Sequence, residues 1–170
     1  MISIERLDSR NFGPFSLDDF IRTQPVTEVY RRVDGEYRLV SAPFVDDWPP
    51  ERKREKAAVI LSDSFLTYGA LEEGHVVGFI MLAKALDHQR MIVDSFHVSR
   101  SSRRQGIGRM LFQRAIEEGR LAGARQLYIS ACSSKETIGF YLAMGCRLAD
   151  EVIPALAEEE PYDLQLVYDL

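Results

Sequence analysis

Val93-Asp-Ser-Phe-His-Val98 runs into Ser99-Arg-Ser-Ser-Arg-Arg-Gln-Gly-Ile-Gly108, so an apolar stretch enters a basic loop that carries two glycines. Met91–Val98 has the length and residue types of a strand, and Ile107–Ala122 has the apolar spacing of an amphipathic helix that Gly123 ends. In that helix Ile107, Met110, Leu111 and Ala115 fall on one stripe, which predicts the buried face. Arg103–Gly108 has the form R-x-x-G-x-G. Gly106 and Gly108 lack Cβ atoms, so a ligand can approach the main chain. The first amides of a helix have no partner inside it, and its dipole favours an anion at that end. With Arg103, Arg104 and Arg109 adding charge, the loop is suited to hold a phosphate. Taken alone, two glycines fit a plain tight turn equally well.

Two common phosphate-binding patterns are absent. Leu111 stands where a dinucleotide fingerprint needs its third glycine, and no Gly-Lys-Ser/Thr follows for a P-loop.

Working outward, Phe65–Glu72 and His75–Ala83 predict a hairpin around Glu73-Gly74, and Val29–Val33 with Tyr37–Val40 another around Asp34-Gly35. Ile2–Leu7 predicts a first strand, Ser16–Ile21 a capped short helix, and Pro50 the start of a helix over Glu51–Leu61. Pro43 and the run Asp46–Pro50 are expected to interrupt regular structure. Gln126–Ala131, Arg147–Val152 and Leu164–Tyr168 read as strands, the last at a sheet edge suited to a homodimer. Ser133-Ser-Lys-Glu136 is a capping box for a helix reaching Met144, with Gly145 as its C-cap. Glu158–Glu160 before Pro161 reads as a solvated loop.

The order strand, R-x-x-G-x-G loop, helix, strand, then Phe140-Tyr-Leu-Ala-Met-Gly145 resembles the GNAT superfamily of N-acetyltransferases over Val76–Leu148. The resemblance implies an α/β (α+β) single-domain GNAT fold, with a mixed, mostly antiparallel, splayed sheet flanked by helices. It implies an acyl-CoA-binding core at 63–148, an acceptor-site wall at 1–62 and a C-terminal strand region at 149–170. It further implies acetyl-CoA as co-substrate: main-chain groups of Phe96 and Val98 would pair with the pantetheine arm, and amides of Gln105, Gly106, Ile107, Gly108 and Arg109 would hold the diphosphate. His97, Arg103, Arg104 and Ser134 complete the candidate cofactor-binding set. Arg104 stands where the family often has Gly, and Ser134 where Asn is commoner.

Acyl transfer to an amine needs a neutral amine, a polarised thioester and a proton for the departing thiolate. Tyr141 is the candidate general acid, and Asp94, expected on the strand face of Phe96 and Val98, the candidate base. His97 should face the opposite side of the strand in a packing role. Asp46, Asp47 and Trp48 offer charge and a ring to an amine, although a surface loop with one anchored Trp explains them more simply.

Of 170 residues, 46% are hydrophobic and 28% charged, enough for one compact core, and the formal charge of −5 argues against a dedicated nucleic-acid partner. Cys132 and Cys146 form no metal or redox pattern and read as reduced thiols; no metal is implied. No basic start with an apolar stretch opens the chain, and no apolar run approaches the roughly 20 residues that span a bilayer. A cytoplasmic protein acting on a small-molecule or protein amine is the expectation. A CoA-binding sensor without catalysis shares the same motifs, and Tyr141 favours the enzyme.

Overall fold

The computed structural model describes residues 1–170. Seven strands form the main sheet in the order β1-β4-β5-β6-β7-β9-β8: β1 Ile2–Arg6, β4 Phe65–Glu72, β5 His75–Ala83, β6 Arg90–Val98, β7 Gln126–Ala131, β8 Arg147–Leu148 and β9 Leu164–Asp169. All neighbours pair antiparallel except β6 and β7. β2 (Gln24–Val33) and β3 (Glu36–Asp46) make a separate two-stranded sheet. Helices α1 (Pro50–Ile60), α2 (Ile107–Leu121), α3 (Lys135–Ala143) and α4 (Pro154–Glu159) flank the sheets. This is the expected mixed, mostly antiparallel architecture. No helix is long and apolar enough to cross a membrane.

Both hairpins turn through paired positive-φ residues, Asp34 with Gly35 and Glu73 with Gly74, which match the twist of the strands they join. One core layer lies under α2 and α3. There α2 buries Ile107, Leu111, Phe112, Ala115 and Ile116. Each large side chain of that face contributes about 1.5–3 kcal/mol by leaving water, an upper bound for a compact denatured chain. The expected stripe was rotated slightly: Met110 is exposed and Phe112 takes its place, because the sheet lies between the two rows. Gly78 of β5 brings α2 close, since a Cβ there would stand 3.0 Å from Ile107 Cγ2 and 3.1 Å from Leu111 Cδ1. The second layer packs α1 and the N-terminal turns on the other face, around Leu17, Phe20, Trp48, Phe79 and Met81.

Several expectations are corrected. Ser16–Ile21 forms turns, not a helix; Leu17 and Phe20 are drawn into the core without a regular hydrogen-bonded run. Pro43 lies within β3 at a bulge, where Val26 faces Phe44 and Glu28 faces Ser41, so its missing N–H costs no ladder bond. Only Arg147–Leu148 of the predicted 147–152 strand pairs. Glu158 and Glu159 end α4 instead of standing in a loop. β9 is internal, held by β7 on one side and β8 on the other, which removes the edge on which a homodimer was argued.

Candidate active site

The parallel ladder between β6 and β7 begins at Arg90 and Gln126 and stops at Val93 and Ile129. Beyond it β6 stays with β5 while β7 stays with β9, so the two strands part and leave facing edges unpaired. The Ser99 N–H donates to the Val77 carbonyl at 2.8 Å. Antiparallel alternation therefore turns His97 and Ser95 toward β5, and the main-chain groups of Phe96 and Val98 toward the opening. An extended ligand can add there as a strand would.

The loop at the mouth of this fork has no internal use for its amides. None of the N–H groups from Arg104 to Arg109 donates to a protein acceptor. Gly106, the N-cap of α2, has φ 80° and no side chain to cap the helix. Arg104 has φ 63°, which explains why glycine suits this position; an L-residue there costs about 1–2 kcal/mol. Gly108 admits aromatic rings to the helix start, because a Cβ would stand 3.3 Å from Phe140 Cε2 and 3.7 Å from Phe96 Cζ. Arg104 and Arg109 are exposed. Arg103 differs from expectation: its Nε donates to the Val98 carbonyl at 3.0 Å, and its Nη atoms to Thr23 at 3.0 Å and Arg22 at 3.3 Å. That guanidinium clamps the N-terminal segment to the end of β6 instead of standing free for a phosphate.

A cavity of about 320 Å³ occupies the fork, walled by Phe96, His97 and Val98, by Arg103, Arg104 and Gly108, by Thr137, Phe140 and Tyr141 of α3, and by Arg22, Gln24 and Pro25. A larger polar hollow of about 920 Å³ between Glu5–Asn11 and the end of α1 shares no residue with it. Tyr141 is buried against Phe96, Phe112 and Phe140, at ring distances of 6.2, 6.1 and 5.5 Å. Its hydroxyl makes no hydrogen bond to the protein, and burial raises its pKa far enough to keep the phenol protonated. His97 also reaches the cavity, set on Trp48 at 4.8 Å and Phe79 at 5.6 Å. Burial and then the charges of Arg22, Lys56, Arg103 and Arg52 hold its pKa well below the usual value, so the imidazole is neutral.

Two candidates are placed elsewhere. Ser134 is fully buried as the N-cap of α3, its Oγ accepting from the Thr137 N–H at 3.3 Å and donating to Thr137 Oγ1 at 2.8 Å, so it does not reach the cavity. Asp94 is the extra residue of a bulge, since Met81 faces Ser95 and Leu82 faces Val93. The bulge breaks the alternation that would have set it beside Phe96 and Val98. Asp94 is exposed and absent from the cavity wall. Trp48 is buried with Arg22 and Lys56 over its ring at 5.5 and 5.8 Å, and Asp46 pairs with Arg22 at 2.7 Å. Their capacity for a substrate cation is already filled by the protein.

Two residues escaped sequence reasoning. Arg22 sits in no motif, and Asp163 only precedes β9. Asp163 accepts from Ser130 Oγ at 3.0 Å, and Ser130 is the first residue of β7 past the fork. Burial, then the nearby Glu160, pushes its carboxyl up to about 6 against the lowering effect of Ser130. Its charge acts on Tyr141.

The acetyltransferase (GNAT) family model matches residues 33–146. Among solved structures, a nourseothricin acetyltransferase superposes with TM-score 0.76 at 19% identity, covering 99% of this chain and 98% of the other. A Bacillus anthracis str. Ames protein named as a streptothricin acetyltransferase, solved with acetyl coenzyme A, gives 0.74 at 13% identity, covering 100% and 99%. The Escherichia coli ribosomal-protein-S18-alanine N-acetyltransferase gives 0.58 at 14%, covering 98% and 90%. At such identities the likeness is one of fold. No curated protein matches the chain.

Proposed function

The chain belongs to the GNAT family of acetyltransferases, and from that premise we propose that it transfers an acetyl group from acetyl-CoA directly to a primary amine. The observation that carries this reading is the run of undonated amides from Arg104 to Arg109, set at the mouth of a strand fork whose β6 edge is free. The diphosphate lies on those amides and the pantetheine arm on Phe96 and Val98, which brings the thioester beside Tyr141. The amine lone pair attacks the thioester carbonyl, and the oxyanion that forms accepts from the Val98 N–H. As the C–S bond breaks, the thiolate takes the Tyr141 proton. Burial makes the phenol a weaker acid, but the same dry surroundings raise the proton affinity of the leaving thiolate.

The amine must lose a proton. Asp94 and Asp163 both border the fork where β6 and β7 part, Asp94 on β6 and Asp163 through Ser130 of β7. Asp163 has the environment that a base near neutrality requires, because burial raises its carboxyl to about 6. Asp94 is exposed. Neither carboxylate lines the cavity, so Asp163 takes the role first given to Asp94 by drawing the proton through a water. The cations around His97 assist, since they favour the neutral form of an amine held there.

A thiol-release assay over a panel of amines tests the reading. Acetyl-CoA-dependent thiol release with at least one amine supports it. Cofactor binding without turnover on any acceptor would replace it with a sensor.

A further inference from the structure

We propose that the acceptor carries a carboxylate which docks on the guanidinium of Arg22, beside the amine to be acetylated; this rests on the acetyl-transfer reading of the cavity. The side chain of Arg22 is only 8% exposed, yet it lines the cavity. A guanidinium has five N–H donors. Here Nη2 meets Asp46 at 2.7 Å, Nη1 has a long contact to Gln24 at 3.3 Å, and Nε is buried without any partner. A buried cation with donors left over is costly until something completes it.

The surroundings say what would. The charges acting most strongly on His97, in the same wall, are all cationic: Arg22, Lys56, Arg103 and Arg52. Of the carboxylates on that side, Asp46 is paired with Arg22, and Asp94 is exposed and outside the cavity wall. Glu136 stands exposed on the opposite rim. The face of Trp48 that an ammonium group would seek is covered by Arg22 and Lys56. A second positive group on the acceptor would meet like charge, whereas a carboxylate can form paired N–H···O bonds with the guanidinium. The cavity, about 320 Å³ and shared with the pantetheine end, has room for an amino-acid-sized group beside the amine.

The test is calorimetry, in the presence of CoA, of amino acids against their carboxamides and against diamines of equal length, with thiol release measured in parallel. The carboxylates should bind about tenfold or more tightly than the carboxamides, as one charge-assisted contact implies. Arg22→Gln should bring the ratio close to one with acetyl-CoA affinity unchanged. Asp46→Asn, which frees Arg22, should widen it. Equal or better binding of carboxamides or diamines by the wild type would overturn the proposal without any variant. So would an Arg22→Gln protein that loses acetyl-CoA affinity and keeps the ratio, since Arg22 would then serve the cofactor's phosphates. The two readings fail separately. Selective carboxylate binding without thiol release refutes acetyl transfer and keeps Arg22 in this role, while acetylation of diamines in preference to carboxylates does the reverse.

Discussion

Replacing Tyr141 by phenylalanine separates packing from chemistry at one atom. The ring holds its place through aromatic neighbours, Phe96, Phe112 and Phe140, all of which the variant keeps. The hydroxyl has no protein partner, so its removal leaves no donor or acceptor stranded. Stability should then change by less than about 1 kcal/mol, and Tm by no more than about 2–4 °C in a domain of this size. The chemical loss is much larger. A positioned general acid contributes roughly 10²–10⁴ in rate, or about 3–5 kcal/mol of barrier. Because burial raises the phenol's pKa, its protonated form persists from pH 6 to 9, and the wild-type rate should show no alkaline fall from Tyr141 in that range. Steady-state thiol release gives kcat, calorimetry gives acetyl-CoA affinity, and a melt checks folding. A kcat within about threefold of wild type, with folding intact, would show that the thiolate takes its proton elsewhere. A tenfold loss of acetyl-CoA affinity would show that the hydroxyl serves binding.

Gly106→Glu should abolish the rise in Tm that acetyl-CoA produces in the wild type, because φ 80° strains any side chain and a carboxylate would repel the diphosphate; an undiminished rise would refute the loop assignment. Asp163→Asn should remove the acidic limb of the kcat/KM profile near pH 6, where wild-type activity rises as the carboxyl ionises. The folded carboxyl has a raised pKa, so the native state holds the proton more tightly than the unfolded chain. Ionisation therefore costs stability as pH climbs from about 4 through about 6, and the variant should melt higher than wild type at pH 7 but not at pH 3; an unchanged profile and melt would put Asp163 outside the site. Gly78→Val should cost about 1–3 kcal/mol by driving a side chain into Ile107 and Leu111. It should also weaken acetyl-CoA binding through the displaced start of α2, and a melt within a degree of wild type would deny that packing role.

What could be read in advance followed local rules. The two Asp/Glu-Gly turns and the α2 helix with its open amides depend on residues adjacent in the chain and formed as expected. The α3 cap slipped by one residue, from Ser133 of the Ser133–Glu136 box to Ser134, whose Oγ accepts from the Thr137 N–H. The elements that misread depend on tertiary partners. Leu17 and Phe20 have enough apolar surface for the core, and that pull overrides the helical pattern around them. Pro43 is tolerated because β3 pairs on one side only and bulges there, which no local signal reveals. At the site, the undonated amides of the loop were legible, and the protein partners of the side chains were not. Arg103 looks like a phosphate ligand until Val98, Arg22 and Thr23 supply carbonyls within reach. Arg22 and Asp163 lie 74 and 67 residues from Phe96 along the chain, and Asp163 meets the fork only through Ser130, so their place there is a product of folding alone.

The bulge at Asp94 ties these features together. Met91 and Val93 face the core under α2, and so do Phe96 and Val98, although odd and even positions of one flat strand must face opposite sides. One extra residue resolves the conflict by changing the phase of β6 midway. Past it, Ser95 turns to Lys56 of α1 at 2.9 Å and His97 to Trp48, which builds the layer on that face. Phe96 meanwhile stays beneath Phe140 and Tyr141 on the other. A bulge also bends its strand, and β6 leaves β7 at this residue, after the Val93 and Ile129 pair. Without the extra residue His97 would enter the apolar layer beneath α2, Phe96 would leave Tyr141, and β6 would lose the bend that opens the fork. The extra residue at Asp94 thus decides, through the backbone, which side chains of β6 line the cavity.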